Sequence, residues 1–255
     1  MLIDTHCHLD AGEFDADREQ VVARSRAAGI AGIIVPSVGR QNFEAVAMLC
    51  QKYPECRAAY GIHPMYVDRA EDDDLESLKQ IILREQPVAV GEIGLDQFVA
   101  ERDDARQEFF FVEQLRLARE LQLPVLLHVR RAIDPILKQL RRISVPGGIA
   151  HAFNGSRQQA DEFIKLGFKL GFGGAMTWPR AKRIRELAAT LPLDSIVLET
   201  DAPDIPPVWI GKGRNEPAEL ARIAQELATL QRMSIQALIE ITSANAAKAL
   251  GRSLF

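Results

Sequence analysis

Eight short apolar runs, each followed by a stretch that is helical in period or turn-rich, recur along the chain, and this alternation constrains the fold more than any other feature of the sequence. The runs are LIDTHCH from Leu2, GIAGIIVPS from Gly29, CRAAYGIHP from Cys56, PVAVGEIGLD from Pro87, PVLLHVR from Pro124, GGIAHAFNG from Gly147, GFKLGFGGAM from Gly167 and SIVLETDAP from Ser195. Near-continuous Ile, Val and Leu suit strands covered on both faces, as in a parallel sheet whose crossovers are helices. Eight such units in 255 residues match a closed (β/α)8 TIM barrel, an α/β fold, better than an open doubly wound sheet. No glycine-rich dinucleotide turn follows the first strand, and no linker, charge block or repeat divides the chain. Residues 1–255 therefore read as a single domain.

The helices between the runs carry their own punctuation. Residues 15–28 are stopped by Gly29, residues 104–121 present a wide apolar face, and Asp134-Pro135 reads as an N-cap followed by proline at the first helical position. Additional C-terminal helices are expected to start at Glu216, Ser234 and Ser243. A formal charge of −4 argues against a wide basic face that coats nucleic acid, and leaves room for a local basic pocket. Cys7, Cys50 and Cys56 form neither an even disulfide set nor a CxxC pair, which suits a reducing compartment. With no leader-like start and no apolar stretch near the ~20 residues that span a bilayer, the expectation is a cytoplasmic protein with no membrane partner and no obligate protein partner.

In such a barrel the C-terminal strand ends and the loops after them build the site. All five histidines fall there: His6 and His8 end strand one, His63 ends strand three, His128 ends strand five and His151 lies late in strand six. Glu92, late in strand four, and Asp201, at the end of strand eight, join them at equivalent heights. Alternation along a strand puts His6 and His8 on one face with Cα atoms about 7 Å apart, close enough to converge on one cation. Cys7 then points toward the helices, and Asp4, on the histidines' side one layer deeper, either holds an imidazole tautomer or is a satisfied core carboxylate. Four histidines and two carboxylates exceed the three protein ligands of a catalytic zinc, so two divalent ions fit better, with Glu92 as the bridge between them.

HxH at His6, GIHP at His63, GEIGLD around Glu92, HVR at His128, HAFNGS at His151, ETDAP ending at Pro203 and RNEPA from Arg214 together resemble the TatD family of metal-dependent hydrolases and deoxyribonucleases, within the amidohydrolase superfamily. The resemblance runs from residue 2 to about residue 250. It implies one metal on His6, His8, Glu92 and Asp201 and a second on Glu92, His128 and His151, with Asp201 also taking the proton of the attacking water and His63 facing the pocket as a substrate contact or proton donor. The family commonly has an aromatic residue directly after the GEIGLD aspartate; here Gln97-Phe98 stand instead.

Arg130 and Arg131 after His128, Asn154 after His151, Arg214 with Asn215, and the glycines of GFGG from Gly171 together suit a phosphate. Each also has a plain structural use: an ion pair, a helix cap, a bend in strand seven. The run PRAKRIR from Pro179 reads first as a solvated helix face, and Trp178 either stacks a base or seals the barrel top. The function expected is a phosphoesterase or deoxyribonuclease that uses Zn, Mg or Mn ions on a DNA end or a phosphorylated small molecule. A C–N hydrolase of the same superfamily is the first alternative, although strand four offers Glu92 and no lysine to bridge metals; a catalytically idle metal-binding barrel is another. A phosphoesterase of the polymerase and histidinol phosphatase type also opens with HxH, and the ETDAP aspartate speaks against it.

Overall fold

The structure, a computed structural model, describes residues 1–251. Eight parallel strands form one sheet in sequence order: β1 (Leu2–Asp4), β2 (Ile30–Pro36), β3 (Cys56–Tyr60), β4 (Ala89–Asp96), β5 (Val125–Arg130), β6 (Gly148–Ala150), β7 (Phe168–Phe172) and β8 (Ile196–Leu198). The gap between β8 and β1 is bridged by the Thr5 amide donating to Leu198 O at 3.0 Å and the Asp201 amide donating to His6 O at 2.8 Å, so the sheet curls into the (β/α)8 barrel that the alternation implies. Helices α1 (Arg18–Ala27), α2 (Phe43–Lys52), α3 (Asp74–Glu85), α4 (Asp104–Glu120), α5 (Ile133–Arg142), α6 (Arg157–Lys165) and α7 (Lys182–Thr190) separate successive strands, and α8 (Leu220–Leu230) and α9 (Ile235–Leu250) follow β8.

Two apolar layers divide the core. Ile3, Ile34, Ala59, Ala89, Leu126, Ile149 and Val197 form one cluster at the barrel's lower end, where Ala246, Ala249 and Leu250 of α9 pack against them. Their strand neighbours, among them Ile33, Val35, Tyr60, Val90, Val125, Leu127 and Leu170, belong to the second cluster, shared with the surrounding helices. Asn245 fixes α9 by donating to Leu193 O and Ile196 O, both at 2.8 Å. With its lower end covered, the barrel is left with its functional mouth at the strands' C-terminal ends.

Some boundaries differ from those read in the sequence. β1 ends at Asp4, so His6 and His8 lie beyond the paired strand. Ile3 faces the inner cluster while Cys7, four residues on, packs with the outer one, which means that simple alternation breaks between them. Asp4 consequently faces β8: its carboxylate accepts from the Thr200 amide at 2.9 Å, the Thr200 hydroxyl at 2.5 Å and the His6 amide at 3.3 Å, and touches no imidazole. It is a satisfied core carboxylate, pushed up to about 7 by its burial against the opposing effect of those hydrogen bonds. Helix α5 begins at Ile133 after Ala132, leaving Asp134 and Pro135 inside the first turn, where a missing N–H still costs nothing. A single helix covers the two starts expected at Ser234 and Ser243, since Ser234 caps α9 and Ser243 lies within it. No helix among the described residues is long and apolar enough to cross a membrane.

Gly148 begins β6 at φ +147, and a β carbon on it would fall 1.9 Å from Val125 O of β5. Only glycine lets the two strands approach this closely. Gly148→Ala is expected to destabilise the fold by about 3 kcal/mol, read as a lower urea midpoint at unchanged slope. An unchanged midpoint would contradict that packing.

Candidate active site

Glu92 reaches the centre of the mouth through an irregularity in its strand. The β4–β5 register slips between Val90 and Ile93, both of which pack outward, and this interruption turns Glu92 inward to a position only 2% exposed. One oxygen, Oε2, lies 3.1 Å from His6 Nε2 and 3.5 Å from His8 Nε2. The other, Oε1, lies 2.8 Å from His128 Nδ1 and 3.5 Å from His63 Nε2. A single carboxylate thus faces two sets of imidazoles.

Asp201 closes the first set. Its backbone is left-handed, at φ +59, a conformation that aspartate tolerates better than most residues. Its Oδ1 stands 3.5 Å from His151 Nε2, 3.7 Å from His6 Nε2 and 3.9 Å from His8 Nε2. The rings of His6 and His151 stack at 3.7 Å between centroids, and the Nε2 atoms of His6 and His8 approach to 3.4 Å. All six expected ligands therefore meet at one mouth. Their grouping differs from the expected sets: His151 sits beside His6 and Asp201, and His63 stands beside His128.

Two carboxylates that the sequence does not mark as site residues hold the histidines from behind. Asp96 Oδ2 lies 3.0 Å from His128 Nε2, and Glu199 Oε1 lies 3.1 Å from His151 Nδ1 while accepting from the Ala152 amide at 2.6 Å. Each faces the ring nitrogen opposite the centre, so in a neutral ring with its proton on that nitrogen the inward nitrogen would keep its lone pair for a cation. They belong to GEIGLD and ETDAP respectively; an acidic residue buried in an apolar strand is the signal that could have found them. His63 is held differently. Its Nδ1 accepts from the Met65 amide at 3.1 Å, so in the neutral ring the proton sits on Nε2 and points toward His128 and Glu92.

The electrostatics of the cluster call for positive charge. Burial opposes charge on His8 and His151, yet Glu92 raises His8 to about 9, and Glu199 with Asp201 raises His151 to about 10. His6 and His63, where burial prevails, fall to about 4. Burial also lifts Asp201 to about 6 against the pull of His151 and His8, whereas for Glu92 burial, the largest single influence, is outweighed by the surrounding histidines taken together, including the contacts of His128 and His6 with its oxygens, so it stays well below the usual carboxylate range. Inward nitrogen lone pairs, two central carboxylates and this appetite for cations fit divalent metal ions.

The remaining expected substrate contacts lie farther out. Arg130 stands 3.7 Å from Asp96 Oδ2 at the edge of the cluster. Asn154 accepts from Arg183 at 2.7 Å, and Arg214 donates to Asp17 and Glu13 O while lying over Phe14, so both join loops in this structure. Trp178 donates through Nε1 to Pro206 O at 3.1 Å, tying the loop after β7 to the one after β8.

A parallel barrel with histidines and carboxylates converging at its C-terminal mouth defines a metal-dependent hydrolase. The family described as TatD related DNase matches residues 3–251, and the chain belongs to that family. Among its relatives, the uncharacterized metal-dependent hydrolase YjjV of Escherichia coli K12 is 43% identical over 90% of both chains. The 3'-5' ssDNA/RNA exonuclease TatD of Cronobacter sakazakii is 34% identical over 97% of both. The crystal structure of the Escherichia coli YjjV superposes with a TM-score of 0.94 over 97% of each chain, at 41% identity.

Proposed function

We propose that the protein is a phosphoesterase acting on the ends of single-stranded nucleic acid, holding two divalent cations, Zn, Mg or Mn. One would lie among His6, His8, Glu92 and Asp201, and the other beside Glu92 and His128; His151, which the resemblance assigns to the second, stands here with His6 and Asp201 of the first. The observation that carries this reading is Glu92, whose two oxygens face separate imidazole sets. Its support from the relatives is the exonuclease named for the Cronobacter sakazakii protein. When bound, such cations polarise a phosphoryl oxygen and acidify an attacking water.

The chain's own groups account for the rest. Asp201, raised toward neutrality by burial, stands at the mouth as the base that takes the proton of that water. Asp96 and Glu199 keep the inward nitrogens of His128 and His151 free of protons in the neutral tautomers. His63, with its proton on Nε2, serves as a donor to substrate. Arg130, at the cluster's edge, offers a planar donor fork to a phosphate.

Phosphodiesters, phosphomonoesters and cyclic amides tested with each of the three metals should show hydrolysis of the phosphodiesters, with two metal equivalents per chain by elemental analysis. Hydrolysis of the amides alone would replace this reading with C–N chemistry. A phosphorylated small molecule is the reading favoured if phosphomonoesters turn over and oligonucleotides do not.

A further inference from the structure

Phe98 is 47% exposed, so part of its ring is open to a stacking partner. Two guanidinium groups lie against it: that of Arg130 is 3.9 Å from the ring centroid and that of Arg131 is 4.5 Å away. Consecutive residues of a strand point to opposite sides, and both reach one ring because Arg131, just past β5, is left-handed at φ +55. Neither guanidinium donates a hydrogen bond to another described residue, whereas Arg18, Arg24, Arg106, Arg183 and Arg214 all do. Arg130 has only Asp96, at 3.7 Å, as an ionic neighbour.

Asp96 ties this group to the catalytic cluster. Its Oδ1 accepts from the Phe98 amide at 2.8 Å and the Val99 amide at 3.3 Å, which fixes the loop, while Oδ2 holds His128 Nε2 at 3.0 Å. The aromatic ring and the free guanidinium donors are therefore anchored by the same carboxylate that orients a candidate metal ligand. An exposed ring beside unspent arginines is the pairing by which single strands are held: the ring takes the face of a base and the guanidinium takes the phosphate. A duplex hides those faces within its own stack; an unpaired strand offers them.

Resting on the phosphoesterase reading above, we propose that Phe98, flanked by Arg130 and Arg131, is a nucleobase-stacking subsite that selects unpaired strands bearing bases over other phosphodiesters. The base it receives belongs to a nucleotide next to the phosphate being cleaved.

The test compares a short all-thymidine strand with a strand of equal length built from base-free tetrahydrofuran nucleotides. The native protein is expected to favour the base-bearing strand about tenfold in kcat/KM, and Phe98→Ala to remove that preference while leaving hydrolysis of the base-free strand unchanged. Phe98→Trp should restore it. Equal loss on both strands would make the ring a structural pin for its loop and overturn the subsite, as would no preference in the native protein, with the phosphoesterase reading left standing. If the native protein cleaves neither strand with any of the three metals, the reading as an enzyme of nucleic-acid ends fails and takes the subsite with it.

Discussion

Asp201→Asn is expected to lower turnover on single-stranded oligonucleotides about a thousandfold while leaving the metal content close to that of the native protein. The substitution preserves nearly everything except basicity. Asparagine has the same shape, keeps one side-chain oxygen for His6, His8 or a cation, and is at home in the left-handed backbone that residue 201 adopts at φ +59. What it cannot do is accept a proton at neutral pH. Burial lifts the carboxyl of Asp201 to about 6, partly offset by His151 and His8, and a cation beside it would favour the ionised form that can accept a proton. Turnover equal to the native protein would remove Asp201 from the proton transfer. A parallel loss of metal would mean that its first task is ligation, so elemental analysis must accompany the kinetics.

Much of the site is legible in the sequence because a parallel barrel gives position a meaning. Histidines placed at the ends of apolar runs must gather at one mouth whatever the details of the loops, and His6, His8, His63, His128 and His151 do so. One source of failure is that period-two alternation assumes an uninterrupted strand. It puts Asp4 on the histidines' side, and the early end of β1 turns it toward Thr200 instead. The slip in β4 that turns Glu92 inward is equally invisible in the string GEIGLD, although its acid among apolar neighbours advertises the residue. Asp96 and Glu199 escape notice because their partners come from neighbouring strands: Gly94 of β4 lies level with His128 of β5, and only that register brings Asp96 to the ring. Arg214 and Asn154 carry no such constraint, being loop residues whose partners depend on how loops fold back.

Glu92→Gln is expected to cost both metal equivalents, where His128→Ala should cost one. Glu92 is the one group with an oxygen toward each imidazole set, at 3.1 Å from His6 and 2.8 Å from His128. It is also the group most firmly charged, since the histidines around it hold its carboxyl well below the usual range against the opposing effect of burial. Glutamine keeps the volume but removes the negative charge and turns an amide N–H₂ toward one of the two sets, so neither cation would retain the counter-charge that a buried position requires. His128 faces only the Oε1 side, and its loss leaves His6, His8 and Asp201 around Oε2 intact. Thermal unfolding gives an independent readout, because metal that binds only the folded chain raises its Tm in proportion to ln(1 + [metal]/Kd). The native protein should show that rise at low metal concentration, His128→Ala a smaller one, and Glu92→Gln almost none over the same range. If Glu92→Gln binds one equivalent as tightly as the native protein, the two cations do not share this carboxylate, and the two sets of imidazoles must be charged independently.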